Sequence, residues 1–157
     1  MANRNIFARP LHLGLGATAI AQPEFDGMQW YADYAARTAS DGREGRLVSA
    51  HRFAESWTSW EMHPVGDEVV LCLGGAIVLH QELADGTARS ITLKPGEYAV
   101  NPPGCWHTAD VDGAASPLFI TAGAGPDPRP RRPDTSVRSR SPKPPYRPPP
   151  RPHPPPL

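Results

Sequence analysis

The chain has 157 residues, which is enough for one domain with a hydrophobic core. Its formal net charge is zero, but residues 1–125 contain 8 Lys and Arg against 14 Asp and Glu, a charge of −6, and the remaining residues carry +6. An acidic main part does not favour nucleic-acid binding, which needs a basic surface to neutralise phosphates. No apolar run approaches the roughly 20 residues of a membrane span, so we expect no membrane partner.

Cysteine content and the N-terminal segment bear on the compartment. Cys72 and Cys105 are the two cysteines, and we interpret them as free thiols of a cytoplasmic protein that needs no disulfide framework. Residues 11–21 follow two arginines and end in small residues, as a secretory signal does. Their apolar part is short and contains His12 and two glycines, so we favour a first strand or an ordered N-terminal arm within residues 1–26.

The central part of the chain has the pattern of an all-β domain, which we predict over residues 27–125. Short apolar or alternating runs are separated by Gly, Asp and Pro, and no segment shows a long helical period. The candidate strands are 28–35, 46–53, 58–63, 68–73, 76–82, 90–93, 98–100, 108–111 and 118–121. Asp41-Gly42 and Asp85-Gly86 predict hairpins, because Gly adopts positive φ without steric cost. The predicted packing residues are Val69, Leu71, Leu73, Ile77, Leu79 and Ile120.

Residues 126–157 differ in composition from the rest of the chain. Pro and Arg dominate them, and almost no apolar side chain is present to offset the entropy of ordering, so we expect a disordered tail with local polyproline-II structure. Repeated Pro-x-x-Pro with flanking Arg fits a weak ligand for SH3-like grooves. We favour the alternative of an unselected tail, which includes translation from a shifted reading frame.

Imidazole and carboxylate side chains cluster around two predicted turns. Glu61 and His63 project to the same side of one strand, since side chains alternate faces, and Glu68 opens the next strand. His107 follows the turn at 102–104 and is a fourth donor. Such a set suits Mn, Fe, Ni, Cu or Zn. Each residue also has a structural interpretation, as a surface or core side chain without a ligand role.

The downstream segment resembles the second motif of the cupin superfamily, G-x5-P-x-G-x2-H. Gly96, Pro102, Gly104 and His107 occupy its fixed positions.

The upstream segment resembles the first cupin motif, G-x5-H-x-H-x3,4-E-x6-G, less fully. Glu61 stands at the first histidine position, His63 at the second and Glu68 at the glutamate. Glu55 replaces the opening glycine, and the closing glycine is met by Gly74 or Gly75. The resemblance covers about residues 45 to 122.

The resemblance implies a double-stranded β-helix, the cupin or jelly-roll barrel, with a divalent metal held by Glu61, His63, Glu68 and His107. It also implies a homodimer paired through its sheets. Three functions remain open: a metal-dependent oxygenase or isomerase acting on a small organic molecule, a non-catalytic small-ligand or metal-sensing module, and a structural relic compromised by its tail. Fold alone does not decide between them.

Overall fold

The computed structural model describes residues 4–122 and 127–132. Most of these residues lie in one antiparallel nine-stranded sheet, which confirms the predicted all-β class. The strands are β1 (Leu11–Gly14), β2 (Thr18–Ala21), β3 (Arg46–Ala50), β4 (Ser59–Met62), β5 (Glu68–Glu82), β6 (Ala88–Leu93), β7 (Tyr98–Asn101), β8 (Trp106–Ala122) and β9 (Asp127–Pro130). A single α-helix is described, α1 (Gln29–Thr38), and short 3-10 turns cover Leu15–Ala17 and Ala39–Asp41.

Two long strands form the spine of the sheet. β5 and β8 pair from Glu68↔Thr121 to Glu82↔Trp106, with register shifts around Gly74 and Gly75. The predicted strands 68–73 and 76–82 are therefore one strand that bends at this bulge. Gly75 has φ +69, and a Cβ there would lie 2.0 Å from the backbone oxygen of Ala114, so only glycine fits.

The remaining strands add to either half of this spine. The first half contains the start of β5 and the end of β8. There β7 pairs with β5, and β3, β1 and β2 extend the sheet in that order from β8. The second half contains the end of β5 and the start of β8. There β6 pairs with β5, and β4 and β9 extend the sheet in that order from β8. The bulge thus folds one sheet into two facing halves with the core between them, which is the predicted jelly-roll arrangement.

Strand alternation decides which apolar residues enter this core. Glu68, Val70 and Cys72 face inward on β5, so Leu73 lies outside and is 42% exposed, contrary to its prediction as a packing residue. Val69, Leu71 and Ile120 are only half-buried for the same reason. The buried cluster consists of Val70, Cys72, Ile77, Leu79, Leu93, Ala99, Ala109, Ala115 and Phe119.

Helix α1 replaces the strand predicted over 28–35, and that prediction is wrong. The segment is rich in Ala, a strong helix former, and it buries Trp30 and Tyr34, which are four residues apart on one helical face. Their stacked rings pack with Leu47 of β3. The Asp41-Gly42 hairpin is also wrong: Gly42 instead follows the 3-10 turn that ends the helical region.

The N-terminal segment continues the sheet. Residues 11–21 form the β1–β2 hairpin, and β1 pairs with β3 from Leu11↔Val48 to Leu13↔Arg46. His12, buried in this strand, contacts Tyr34 Oη through Nδ1 at 2.7 Å and Asp41 Oδ2 through Nε2 at 2.8 Å. These contacts tie α1 and the following turn to the hairpin.

Part of residues 126–157, the segment predicted to be disordered, forms a strand. Asp127–Pro130 form β9, which pairs with β4 from Ser59↔Pro130 to Met62↔Asp127. Side-chain contacts of Arg129 in β9 and of Arg131 directly after it, rather than apolar burial, hold it there. Residues 133–157, the rest of the predicted tail, lie outside the described part of the chain. Among the described residues, no helix has the length and apolar character to cross a membrane.

Candidate metal centre

The four predicted ligands come together in the interior. Glu61 lies on β4 opposite His107 on β8, His63 follows β4, and Glu68 begins β5. His107 is 0% exposed, Glu68 3% and His63 5%, whereas Glu61 is half-buried. Two distant sequence segments therefore deliver imidazoles and carboxylates to one buried point.

The distances within this cluster are short. Glu61, His63 and His107 each offer a ligand atom, and these three atoms all lie within 4.8 Å of one another. Glu68 stands outside that group of three, but Oε1 lies 3.2 Å from His63 Nε2 and Oε2 lies 3.0 Å from His107 Nε2. The two imidazole rings are nearly parallel, at 5.6 Å between centroids.

The imidazole nitrogens fit metal ligation better than hydrogen bonding. Both ring nitrogens of His63 and Nε2 of His107 are buried without an assigned hydrogen bond, and the polar neighbours of the two Nε2 atoms are the Glu68 oxygens. Buried polar atoms rarely remain unpaired. Two ligands bonded at right angles to one metal at about 2.1 Å lie about 3.0 Å apart, close to the observed separations. The residues present therefore fit a divalent metal ion.

Neighbouring groups orient the ligands. His107 Nδ1 donates a hydrogen bond to the Cys105 carbonyl oxygen at 3.3 Å, which leaves Nε2 unprotonated and available to bind a metal. Asn101 Nδ2 donates to Glu68 Oε2 at 2.9 Å, and Thr121 Oγ1 donates to Oε1 at 2.9 Å. Both partners lie opposite Glu68 in the strand registers. The carboxylate is thus held from two strands.

A buried amide extends this network outward. Gln81 Nε2 donates to Asn101 Oδ1 and, at 2.9 Å, to the Val100 carbonyl oxygen. Arg89 Nε donates to Gln81 Oε1 at 2.6 Å. Gln81 and Asn101 are almost fully buried, so their hydrogen bonds fix Glu68 in a low-dielectric setting.

The carboxylates differ in their proton affinity. Burial alone would raise the pKa of Glu68, but its contacts with His107 and then His63 outweigh burial and hold that pKa far below its usual range. Burial would lower the pKa of His107, but Glu68 outweighs it and raises that pKa. The pKa of Glu61 is raised by burial and by the charge of Glu68, against the opposing imidazoles. Glu68 is therefore the carboxylate held in its anionic form, and Glu61 is the more basic of the two.

Aromatic side chains lie beside the cluster. The Trp57 ring is 6.2 Å from that of His107 and packs with Phe53 and Phe119, and Trp57 Nε1 is a buried donor without a partner. Tyr31 of α1 has a pKa raised by burial and then by the charges of Glu61 and Glu68. Tyr31 is not among the predicted site residues, because the pattern over residues 28–35 predicts a strand instead of α1. The four-residue spacing of Trp30 and Tyr34, which is typical of one face of a helix, is the sequence pattern that indicates α1.

Comparison with known proteins gives structural likenesses only. No protein-family model matches the chain, and no curated protein matches it significantly. A protein of Neisseria meningitidis is 24% identical over 52% of this chain and 79% of its own, with a TM-score of 0.42. A cupin superfamily protein of Desulfitobacterium hafniense is 25% identical over 49% of this chain and 66% of its own, with a TM-score of 0.42. A hydroquinone 1,2-dioxygenase of Sphingomonas is 19% identical over 51% of this chain and 60% of its own, with a TM-score of 0.43.

The antiparallel sheet brings the two motif segments onto one buried set of donors. The segment from Gly96 to His107 supplies its turn and one imidazole, and the segment from Glu61 to Glu68 supplies the rest. The resemblance of these two segments to the cupin motifs implied this arrangement, and the chain has the expected jelly-roll β architecture.

Proposed function

We propose that the protein is a metal-dependent enzyme, an oxygenase or isomerase acting on a small organic molecule. His63 and His107 would anchor the ion, and Glu61 and Glu68 would both be ligands, or Glu61 would leave the ion and serve as a proton acceptor. The observation that carries the proposal is the set of three buried imidazole nitrogens without hydrogen-bond partners, grouped with carboxylate oxygens. Two imidazoles with two carboxylates suit first-row divalent ions, and the second carboxylate favours Mn, Fe or Zn over Ni or Cu.

The residues around the ion have distinct roles in this proposal. The metal, when bound, would polarise a substrate oxygen or activate dioxygen. The indole N–H of Trp57 would donate to a substrate oxygen, since it is buried beside His107 without a partner. Glu61, whose pKa is raised, would accept a proton from the substrate at a carboxylate oxygen. Phe53 and Phe119, packed on Trp57, would limit the access of water.

A non-catalytic small-ligand or metal-sensing module is the second candidate. Three grouped donors, with Glu68 in contact with both imidazoles, favour it, because closed structural sites use four protein ligands whereas catalytic sites keep one position open. Release of Glu61 from the ion would convert the closed arrangement into an open one.

We also propose a cytoplasmic homodimer. Both cysteines are free and buried, as suits a reducing compartment. The outer face of the β5–β7–β8 region carries Leu71, Leu73, Tyr98 and Val100, of which the last three are exposed apolar side chains. Such a face favours self-association. Light scattering coupled to size exclusion would give twice the chain mass for a dimer, and the monomer mass would contradict it.

Metal content tests the proposed function. Wild-type protein reconstituted with Mn, Fe, Ni, Cu and Zn should retain about one ion per chain after desalting, and the His63→Ala/His107→Ala variant should retain none. His80→Ala is the matched control, because His80 lies outside the cluster and should leave metal content unchanged. Equal metal in wild type and the double variant would refute the site. Oxygen uptake or turnover of a small organic acid or phenol then separates an enzyme from a binding module.

A further inference from the structure

Strand β9 alternates proline with arginine in a way that suits an edge strand. The Arg131 amide donates to the Thr58 carbonyl oxygen at 3.0 Å, and N–H groups two residues apart point to the same side of a strand, so the Arg129 amide also faces β4. Pro128 and Pro130, which have no N–H, fall on the side away from β4. The sequence Pro-Arg-Pro-Arg thus satisfies the inner edge and blocks addition of a further strand.

Arg129 is held between two tryptophans. Its guanidinium carbon lies 5.0 Å from the centroid of Trp60 and 4.5 Å from that of Trp106, and the guanidinium also pairs with the Glu82 carboxylate. Stacking of a cation on two indole faces, with a carboxylate at its end, is a recognition geometry specific to arginine, because only guanidinium combines a planar face with a hydrogen-bonding fork.

Arg131 occupies a second position two residues further on. Its NH2 lies 2.7 Å from Asp110 Oδ1, and NH1 donates to the carbonyl oxygens of Trp57 and Ala109, each at 3.3 Å. The other oxygen of Asp110 is 2.7 Å from Nε2 of His80, which orients the carboxylate. Each arginine therefore has its own carboxylate.

These contacts lie on the sheet half that contains β4, β6 and the C-terminal part of β5. A pocket of about 490 Å³ lies beside them, and Trp60, Glu82, Asp110 and Arg131 are among its lining residues. We call the seat of the two arginines the arginine groove and define it by Trp60, Glu82, Trp106 and Asp110. Two indoles and two carboxylates give it a chemistry complementary to paired guanidinium groups.

We propose that the arginine groove is a binding site for extended Pro-Arg-Pro-Arg segments of a partner protein, and that β9 occupies it in cis. Backbone pairing along β4 sets the strand register, and the two arginines provide specificity. Four residues separate β8 from β9, so the cis segment has an effective concentration of the order of millimolar. In the intact chain, β9 therefore blocks the groove, and a partner of micromolar affinity binds only when it displaces β9.

The test uses the full-length chain and a fluorescein-labelled peptide with the sequence of residues 126–132. The Arg129→Ala/Arg131→Ala protein, whose cis segment lacks both anchors, should bind this peptide at least tenfold more tightly than wild type by fluorescence anisotropy. Arg132→Ala is the matched control and should behave as wild type, because Arg132 is exposed. A peptide with both corresponding arginines replaced by alanine should bind the double variant at least tenfold more weakly.

Several results would overturn the proposal: equal binding of the two peptides, equal binding by wild type and the double variant, or no binding by either protein. If the double variant does not fold by circular dichroism, hydrogen exchange in wild type gives the same decision. Excess Pro-Arg-Pro-Arg peptide should accelerate exchange of the Arg131 amide at least twofold by displacing β9, whereas the alanine peptide should not. No acceleration by either peptide, or equal acceleration by both, would contradict the proposal. Neither readout depends on metal.

Discussion

Oε2 of Glu68 lies 3.0 Å from Nε2 of His107, and this contact joins the two motif segments across paired strands β5 and β8. The glutamate is also held by Asn101 on β7, which lies opposite it in the sheet register. A carboxylate held by residues of two neighbouring strands has little freedom to reorganise, so the candidate metal centre is largely preformed by the fold.

Asn101 should therefore support metal affinity without touching the ion. In Asn101→Ala, Glu68 loses a hydrogen bond and the Gln81 amide loses one of its two acceptors, so we expect metal binding to weaken 10–100-fold and stability to fall by about 1–3 kcal/mol. Calorimetric metal titration and urea unfolding measure the two effects. Asn5→Ala, at an exposed asparagine, is the control. An unchanged metal affinity in Asn101→Ala would show that this hydrogen bond does not position Glu68.

The bulge on β5 provides a second test with neighbouring glycines. Gly75→Ala places a Cβ 2.0 Å from the Ala114 oxygen at φ +69, and we expect a loss of at least about 2 kcal/mol. In Gly74→Ala the new Cβ would meet only Ser116, at ordinary contact distance, so the loss should stay below about 1 kcal/mol. Urea unfolding of the two variants decides this. Similar losses would mean that the bulge accommodates side chains at both positions.

The docking of α1 can be tested through one hydroxyl. Tyr34→Phe removes the contact with His12 Nδ1 in a buried setting, so we expect stability to fall by about 1 kcal/mol. Tyr98→Phe makes the same change at a residue that is 65% exposed, and its stability should match wild type. Thermal unfolding of both proteins gives the comparison. Equal effects would contradict a specific role for the His12 contact.

Acidification should remove the contribution of the Asp110 carboxylate to the free energy of unfolding. Burial raises the pKa of this carboxyl, but the hydrogen bonds from His80 and Arg131 outweigh burial and lower that pKa below 3.8. Because the pKa of Asp110 is lower in the folded state than in the unfolded state, its carboxylate stabilises the protein above pH 3.8. This stabilisation is lost as the pH falls through the folded-state pKa.

Wild type should therefore exceed Asp110→Asn in Tm at pH 7, and the difference should shrink towards pH 3. Because Asp110 is partly exposed, the difference should correspond to at most about 1 kcal/mol. Asp112→Asn, at an exposed aspartate, is the control. A Tm difference that grows on acidification would contradict the assigned sign.

The turn chemistry and strand alternation of the sequence predicted much of this arrangement. The segment from Gly96 to His107 gave the family resemblance and one imidazole, and same-face alternation placed Glu61 beside His63, as in the structure. Local patterns could not show that two short predicted strands join into β5, because the pairing with β8 that carries the chain through the bulge is long-range.

The errors also have physical causes. Aromatic residues favour strands, and this preference concealed the helical spacing of Trp30 and Tyr34 in α1. The composition after residue 125 predicts disorder, because the segment has almost no apolar side chains to bury and composition does not show polar or stacking contacts. The stacking and ion pairing of Arg129 and Arg131 stabilise β9 without an apolar side chain of their own.

Anomalous diffraction tests the metal centre most directly. Crystals soaked with Mn²⁺ or Zn²⁺ and measured at the corresponding absorption edge should show one peak about 2.0–2.3 Å from Nε2 of both His63 and His107, with a Glu68 oxygen at a similar distance. A map without a peak at this position, or with its strongest peak on other residues, would contradict the assignment of Glu61, His63, Glu68 and His107 as a metal centre.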